Sequence, residues 1–330
     1  MYTNQINRFH NVVLVSLITI YLVILAGGIV RSTGSGMGCP DWPRCFGTYI
    51  PPTEESQLPA NYKEKYTVKG HTAEFNVYKT WTEYGNRLIG AVAGLIIVFQ
   101  CIYAIKFLKT NSKYFWYSFL LAVLMGSQGL LGAKLVSSYL EPILITLHMA
   151  VALLIMGILI YLLISVHKEK LLLQGKTEAF QKDQPIAKKY TLVMWIFILL
   201  TSLQIFLGTE VREAIDVISY ALSYQEKDTW IERIGSVFIV HRSYSILLTL
   251  ATIYFTYVLY QNKDKYLNAY KHALVIASII GLEILAGIIL AYFALPPWAQ
   301  PIHLLLGTVL LGAQIAFVFR FMVGQNRRSV

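Results

Sequence analysis

Four polar positions recur at matched spacing inside a strongly apolar chain. Asn86 precedes His148 by 62 residues, and His241 precedes His303 by the same 62. Asn86 is followed by Arg87 and His241 by Arg242. Two imidazoles on facing helices could hold both axial positions of a haem iron, because imidazole is a good iron ligand. A zinc site would want three or four ligands. Arg242 could pair with a haem propionate while His241 turns inward. The plainer alternative for His241 and His303 is two unrelated polar side chains packed inside a helix bundle.

The first copy differs at one point. His148 corresponds to His303, but its expected opposite is Asn86, an amide that is a poor axial ligand. Either this half has lost a haem, or one iron face is left open for chemistry. His71, in a long polar segment, could fold back as a replacement ligand. Glu83 stands three residues before Asn86, so a helix that begins early would place both on one face. A buried carboxylate near a membrane is expensive without a partner, which makes Glu83 a candidate for moving a proton. It could equally be a first-turn glutamate stabilising a helix N-terminus. His10, His167 and His272 read as histidines at the opposite interface.

The stretch GSGMGCPDWPRCFG, residues 34–47, carries Cys39 and Cys45 with five residues between them. Its prolines and glycines favour a compact turn, and outside the cytoplasm a disulfide is permitted. Such a bridge could staple the loop or exchange with an outside thiol system. Free thiols and metal binding remain open. Cys101, within an apolar run, reads as a buried small side chain.

These residues need elements to hold them. Of 330 residues, 56% are hydrophobic and only 14% charged, well below the quarter or so usual in soluble domains. Mean hydropathy is +0.54. Apolar runs long enough to cross a bilayer occur eight times, at about 11–30, 88–107, 114–134, 144–165, 190–209, 238–260, 272–292 and 302–323. Their length and continuity predict helices, not barrel strands. The first starts after one basic residue and lacks a small-residue cleavage pattern, so it reads as a retained span.

Lys and Arg number three, six and three in the connections 106–113, 166–189 and 261–271, against one and none in 134–143 and 293–301. The positive-inside rule then puts both termini in the cytoplasm and segments 31–87 and 210–237 outside. This bias accounts for the net charge of +10. No basic patch interleaved with exposed aromatics argues for a nucleic-acid partner. GSG lacks the strand and Gly-Lys-Ser/Thr context of a phosphate loop.

The chain repeats itself. AGGIVR (26–31) parallels LGTEVR (207–212), and NRLIG (86–90) parallels HRSYS (241–245). QGLLGAKLV (128–136) parallels LEILAGIIL (282–290), and ITLHMAVALLIMG (145–157) parallels QPIHLLLGTVLLG (300–312). The predicted fold class is all-α integral membrane, with eight transmembrane helices forming two parallel-repeat four-helix bundles. The expected organisation is an N-terminal half, 1–165, a cytoplasmic linker, 166–189, and a C-terminal half, 190–330. Small residues along the spans allow close helix contact.

GGIVRSTGSGMGCPDWPRCFG, TEYGNRLIG, LGAKLV, LITLHMAV, LGTEVR, VHRS and PIHLLLG together resemble the haem A synthase family over nearly all of residues 11–323. The resemblance implies a membrane enzyme of the bacterial cytoplasmic membrane. It would oxidise the C8 methyl group of haem O to a formyl group through hydroxylated intermediates, giving haem A for terminal oxidases. It implies that His241 and His303 bind a haem b supplying electrons, that the N-terminal half holds the substrate haem at His148, and that Glu83 is catalytic. It also implies a Cys39–Cys45 pair. Arg87 and Arg242 are expected at the haem groups. The family's second N-terminal histidine is replaced here by Asn86, which puts two-histidine binding in that half in question. Haem O synthase, an outside thiol-redox protein and a second copy of the chain are admissible partners; the electron donor is not specified. The competing classes are a non-catalytic haem b electron carrier or quinol-linked cytochrome, and a small-molecule transporter.

Overall fold

The computed structural model describes residues 1–176, 188–222 and 225–322. Eight long helices account for most of them: α1 (Tyr2–Ser32), α2 (Val77–Ala104), α3 (Ser112–Ser137), α4 (Pro142–Leu173), α5 (Lys188–Ala221), α6 (Ser236–Gln261), α7 (Lys263–Tyr292) and α8 (Ala299–Met322). All eight are long and apolar enough to cross a membrane, so this is an all-α, multi-pass membrane protein. Leu95, Leu130, Leu199 and Leu250 stand exposed along them, as surfaces facing hydrocarbon must.

Several helices run beyond the apolar windows that announce them. α2 begins at Val77 rather than near Leu88, because Asn76 caps it: its Oδ1 accepts from Lys79 N at 3.1 Å. α5 continues to Ala221 rather than stopping near 209, because Ile215, with Val211, Ala214 and Ile218 beside it, packs on Trp230, Ile234 and Leu295; the Arg212–Asp216 pair at 2.7 Å adds a little one turn earlier. α7 starts at Lys263, with a break in helical backbone at Tyr266. The first part of the expected 166–189 linker is the end of α4; its residues 177–187 lie outside the described residues, as do residues 323–330.

The chain divides into two compact units, residues 11–159 and residues 1–10 with 160–330. In the second, α5 packs on α6 and α8, and α7 packs on the same two helices. Met194, Leu259, Ala273, Ile276 and Phe317 form its buried centre. Ala269 and Ala273 on α7 let α6 approach closely, and Thr256 Oγ1 donates to Ala273 O at 3.4 Å. His10 and His167 meet with ring nitrogens 3.3 Å apart, and His272 Nε2 pairs with Ala313 O at 3.0 Å.

In the unit of residues 11–159, α2 and α3 are tied by Gln100 Nε2 donating to Ser118 Oγ at 3.1 Å, both side chains fully buried. The segment between α1 and α2 folds on a cluster of Cys39, Cys45, Phe46 and Tyr62. It carries the short helix Tyr62–Lys65.

Candidate functional site

His241, on α6, and His303, on α8, face each other with ring centroids 6.5 Å apart and planes at 79°. Two metal–imidazole bonds of about 2 Å, plus about 1 Å from nitrogen to ring centre on each side, come to about 6 Å. The gap therefore fits one metal ion between the rings. Each imidazole is backed by a glycine of the neighbouring helix. A Cβ added at Gly208 on α5 would stand 3.4 Å from His241 Cε1, and one at Gly287 on α7 would stand 3.5 Å from His303 Cε1. The residue four positions earlier also reaches the histidine. Gln204 Nε2 donates to His241 O at 3.0 Å. Glu283 Oε1 lies 3.2 Å from His303 Nδ1, within ion-pair reach but off the line of a hydrogen bond, so that nitrogen remains buried without a hydrogen-bonded partner.

The same frame surrounds His148 in the other unit. A Cβ at Gly132 on α3 would stand 3.9 Å from His148 Cε1, and Gln128 Nε2 donates to His148 O at 2.9 Å. The repeat register of this helix is thus Gln128 with Glu283 and Gly132 with Gly287, one residue away from the register the motifs suggest. Sequence reasoning missed these supports. Their signal was a Gln or Glu four residues before a glycine, with the acid or amide 20 residues ahead of both His148 and His303.

The fourth position is built differently. On α1, Gly27 aligns with Gly208, but the residue four earlier is Val23 where α5 has Gln204. A Cβ at Gly27 would meet nothing within 4 Å. Asn86 itself keeps Oδ1 buried without a hydrogen-bond partner.

Beside Asn86 the loop between α1 and α2 is clamped to α2. Glu83 is buried. Its Oε2 accepts from Cys39 N at 2.8 Å, and its Oε1 accepts from both Nε and Nη2 of Arg87. Arg87 Nη1 donates to Asp41 O at 2.7 Å and Arg44 O at 2.9 Å, and Nη2 to Cys39 O at 2.9 Å. Those contacts occupy all five N–H groups of the guanidinium. The expectation that Arg87 reaches a haem group meets a side chain already fully engaged with Glu83 and the loop. Gly38 permits the approach, since a Cβ there would clash with the Lys79 carbonyl. Thr80 Oγ1 donates to Gly38 O at 2.8 Å.

Cys39 and Cys45 form a disulfide within this loop, with Cα atoms 4.7 Å apart, and both cysteines are fully buried. Burial favours the staple over exchange with an outside thiol. Cys101 is a free cysteine of intermediate exposure, not a buried one. His71 is exposed and stacked on Tyr139 at 3.8 Å between ring centroids. Arg242 is exposed, with its guanidinium 5.7 Å over the Phe238 ring. Among the described residues no cluster of three or more His, Cys, Asp or Glu could hold a free metal ion, so a metal between His241 and His303 would need the remaining ligands that a porphyrin supplies.

These features define a multi-pass membrane protein with a glycine-backed histidine framework and a disulfide-closed loop between α1 and α2. Residues 10–315 match the COX15-CtaA family of cytochrome oxidase assembly proteins, and the chain belongs to that family. The heme A synthase of Shewanella oneidensis is 32% identical over 135 residues, which cover 41% of this chain and 38% of that protein. That of Exiguobacterium sibiricum is 26% identical over 168 residues, 51% of this chain and 47% of the relative. That of a second Exiguobacterium is 24% identical over 241 residues, 72% and 68%. In the first two matches this chain spans less than half the relative's length.

Proposed function

We propose that the protein oxidises the C8 methyl group of haem O to the formyl group of haem A through hydroxylated intermediates. The observation that carries a resident haem is the His241–His303 pair, 6.5 Å apart between glycine-backed helices. The relatives named heme A synthase support the reaction class. On this reading the eight helices are two parallel-repeat four-helix bundles, 1–165 and 190–330, with both termini in the cytoplasm.

His241 and His303 would hold haem b, which supplies electron transfer when bound. His148 would hold the iron of the substrate haem O, backed by Gly132 and steadied through its carbonyl by Gln128. Asn86 leaves that site without a second imidazole. Glu83 would accept a proton, or stabilise positive charge developing at the methyl carbon, from an orientation fixed by Arg87 and Cys39 N. Arg242, with its cationic head exposed over Phe238, is the arginine available to a propionate.

The test supplies haem O, a reductant and oxygen to the purified protein and follows the pigment by chromatography. Wild type should form haem A, and His148→Ala should lose both haem O binding and product. Normal haem O oxidation by His148→Ala would overturn the substrate site. Reversible redox of haem b with haem O unchanged in the wild type would favour the electron carrier.

A further inference from the structure

Three histidines share one frame, and only one of them has a carboxylate in it. Gln128 and Gln204 carry an amide N–H and donate it to the backbone carbonyl of their histidine. Glu283 has no N–H to donate and lies instead against the ring, 3.2 Å from His303 Nδ1. Its position is tightly built. A Cβ at Gly307, one turn beyond His303 on α8, would come within 3.1 Å of Glu283 Oε1. Its other oxygen is buried without a hydrogen-bond partner.

A carboxylate that accepts the Nδ1 proton of a metal-bound imidazole fixes the ring and raises its basicity as a ligand, and Glu283 Oε1, 3.2 Å from His303 Nδ1, is within reach of that role after a small turn of the ring. More electron density on the iron side favours the oxidised metal. We infer that Glu283 is a positioning residue that orients His303 and lowers the reduction potential of the haem held by His241 and His303. The inference rests on that pair being the ligands of haem b. It distinguishes the two units: an anionic partner stands behind the electron-supplying haem, and the neutral Gln128 stands behind the substrate. A lower potential makes the haem at His241 and His303 a stronger electron donor.

The experiment is a spectroscopic redox titration of the intact, detergent-purified protein with haem b bound. Glu283→Gln should keep the six-coordinate spectrum and shift the reduced-to-oxidised ratio at fixed potential about tenfold towards reduced. For one electron that is about 59 mV more positive. Gly307→Ala, whose Cβ crowds the carboxylate without removing it, should move the midpoint in the same direction. If Glu283→Gln fails to retain haem, Gly307→Ala decides. An unchanged midpoint with the spectrum intact overturns the role of Glu283 and leaves the ligand assignment standing. A wild-type protein whose haem b does not depend on His241 and His303 overturns the ligand assignment, and this role falls with it.

Discussion

Arg87 and Arg242 occupy matching places in the two copies, yet their surroundings differ because of the residue one turn earlier. Glu83 draws Arg87 into a buried ion pair and onto the loop carbonyls. Phe238 at the corresponding place gives Arg242 a ring face and leaves it exposed. The sequence made both arginines legible, and the substitution of Asn86 for histidine as well. It could not reveal that Arg87 is fully engaged, because three of its five N–H groups go to carbonyls of residues more than 40 positions away. Removing one partner of a buried pair leaves the other uncompensated, at about 3–5 kcal/mol. Arg87→Ala should therefore lower thermal stability in detergent and expose the 34–76 segment to protease; unchanged cleavage would show that the clamp is dispensable. Glu83→Ala should keep haem b and lose haem A formation, read by pigment extraction. A normal yield of haem A from that variant would remove Glu83 from the chemistry.

At the scale of elements, each histidine depends on the helix behind it. At Gly208 and Gly287 an added Cβ would already stand in van der Waals contact with the two imidazoles. A branched side chain there must displace the ring. Gly208→Leu should abolish the six-coordinate haem spectrum, whereas Gly281→Ala, where a Cβ meets nothing within 4 Å, should preserve it. Equal spectra would show that the glycine contact does not set the ligand. Helix existence was legible from apolar runs, but helix ends were not. The start of α2 depends on an Asn76 cap in a polar stretch, and the end of α5 on Ile215 packing against Trp230, Ile234 and Leu295 from other segments, neither of which a hydropathy window registers. The loop chemistry was half legible: the cysteine spacing allowed a bridge, while its burial depended on Phe46 and Tyr62 packing over it. Under reductant without denaturant, Cys39 and Cys45 should resist a thiol label that modifies them readily after unfolding. Rapid native labelling would restore the exchange role.

For the whole molecule, the eight spans follow from composition, since nothing but helices satisfies so much backbone in hydrocarbon over such lengths. The orientation rests on Lys and Arg in the connections. Single cysteines replacing Lys109 and Asn61 should label from opposite sides of intact cells or inverted vesicles, Asn61 from outside; the reverse pattern would invert the proposed topology. The supports behind the histidines were the part of the site least legible in the sequence. A glutamine, a glutamate and a glycine carry no chemical signature until helices bring them against an imidazole. The central claim joins a resident haem at His241 and His303 to oxidation of a second haem in the same chain. Its most direct test is chromatographic identification of the pigments in wild-type protein purified from aerated cells that supply haem O. The account predicts haem b together with newly formed haem A; haem b alone, with haem O left unchanged, would contradict it.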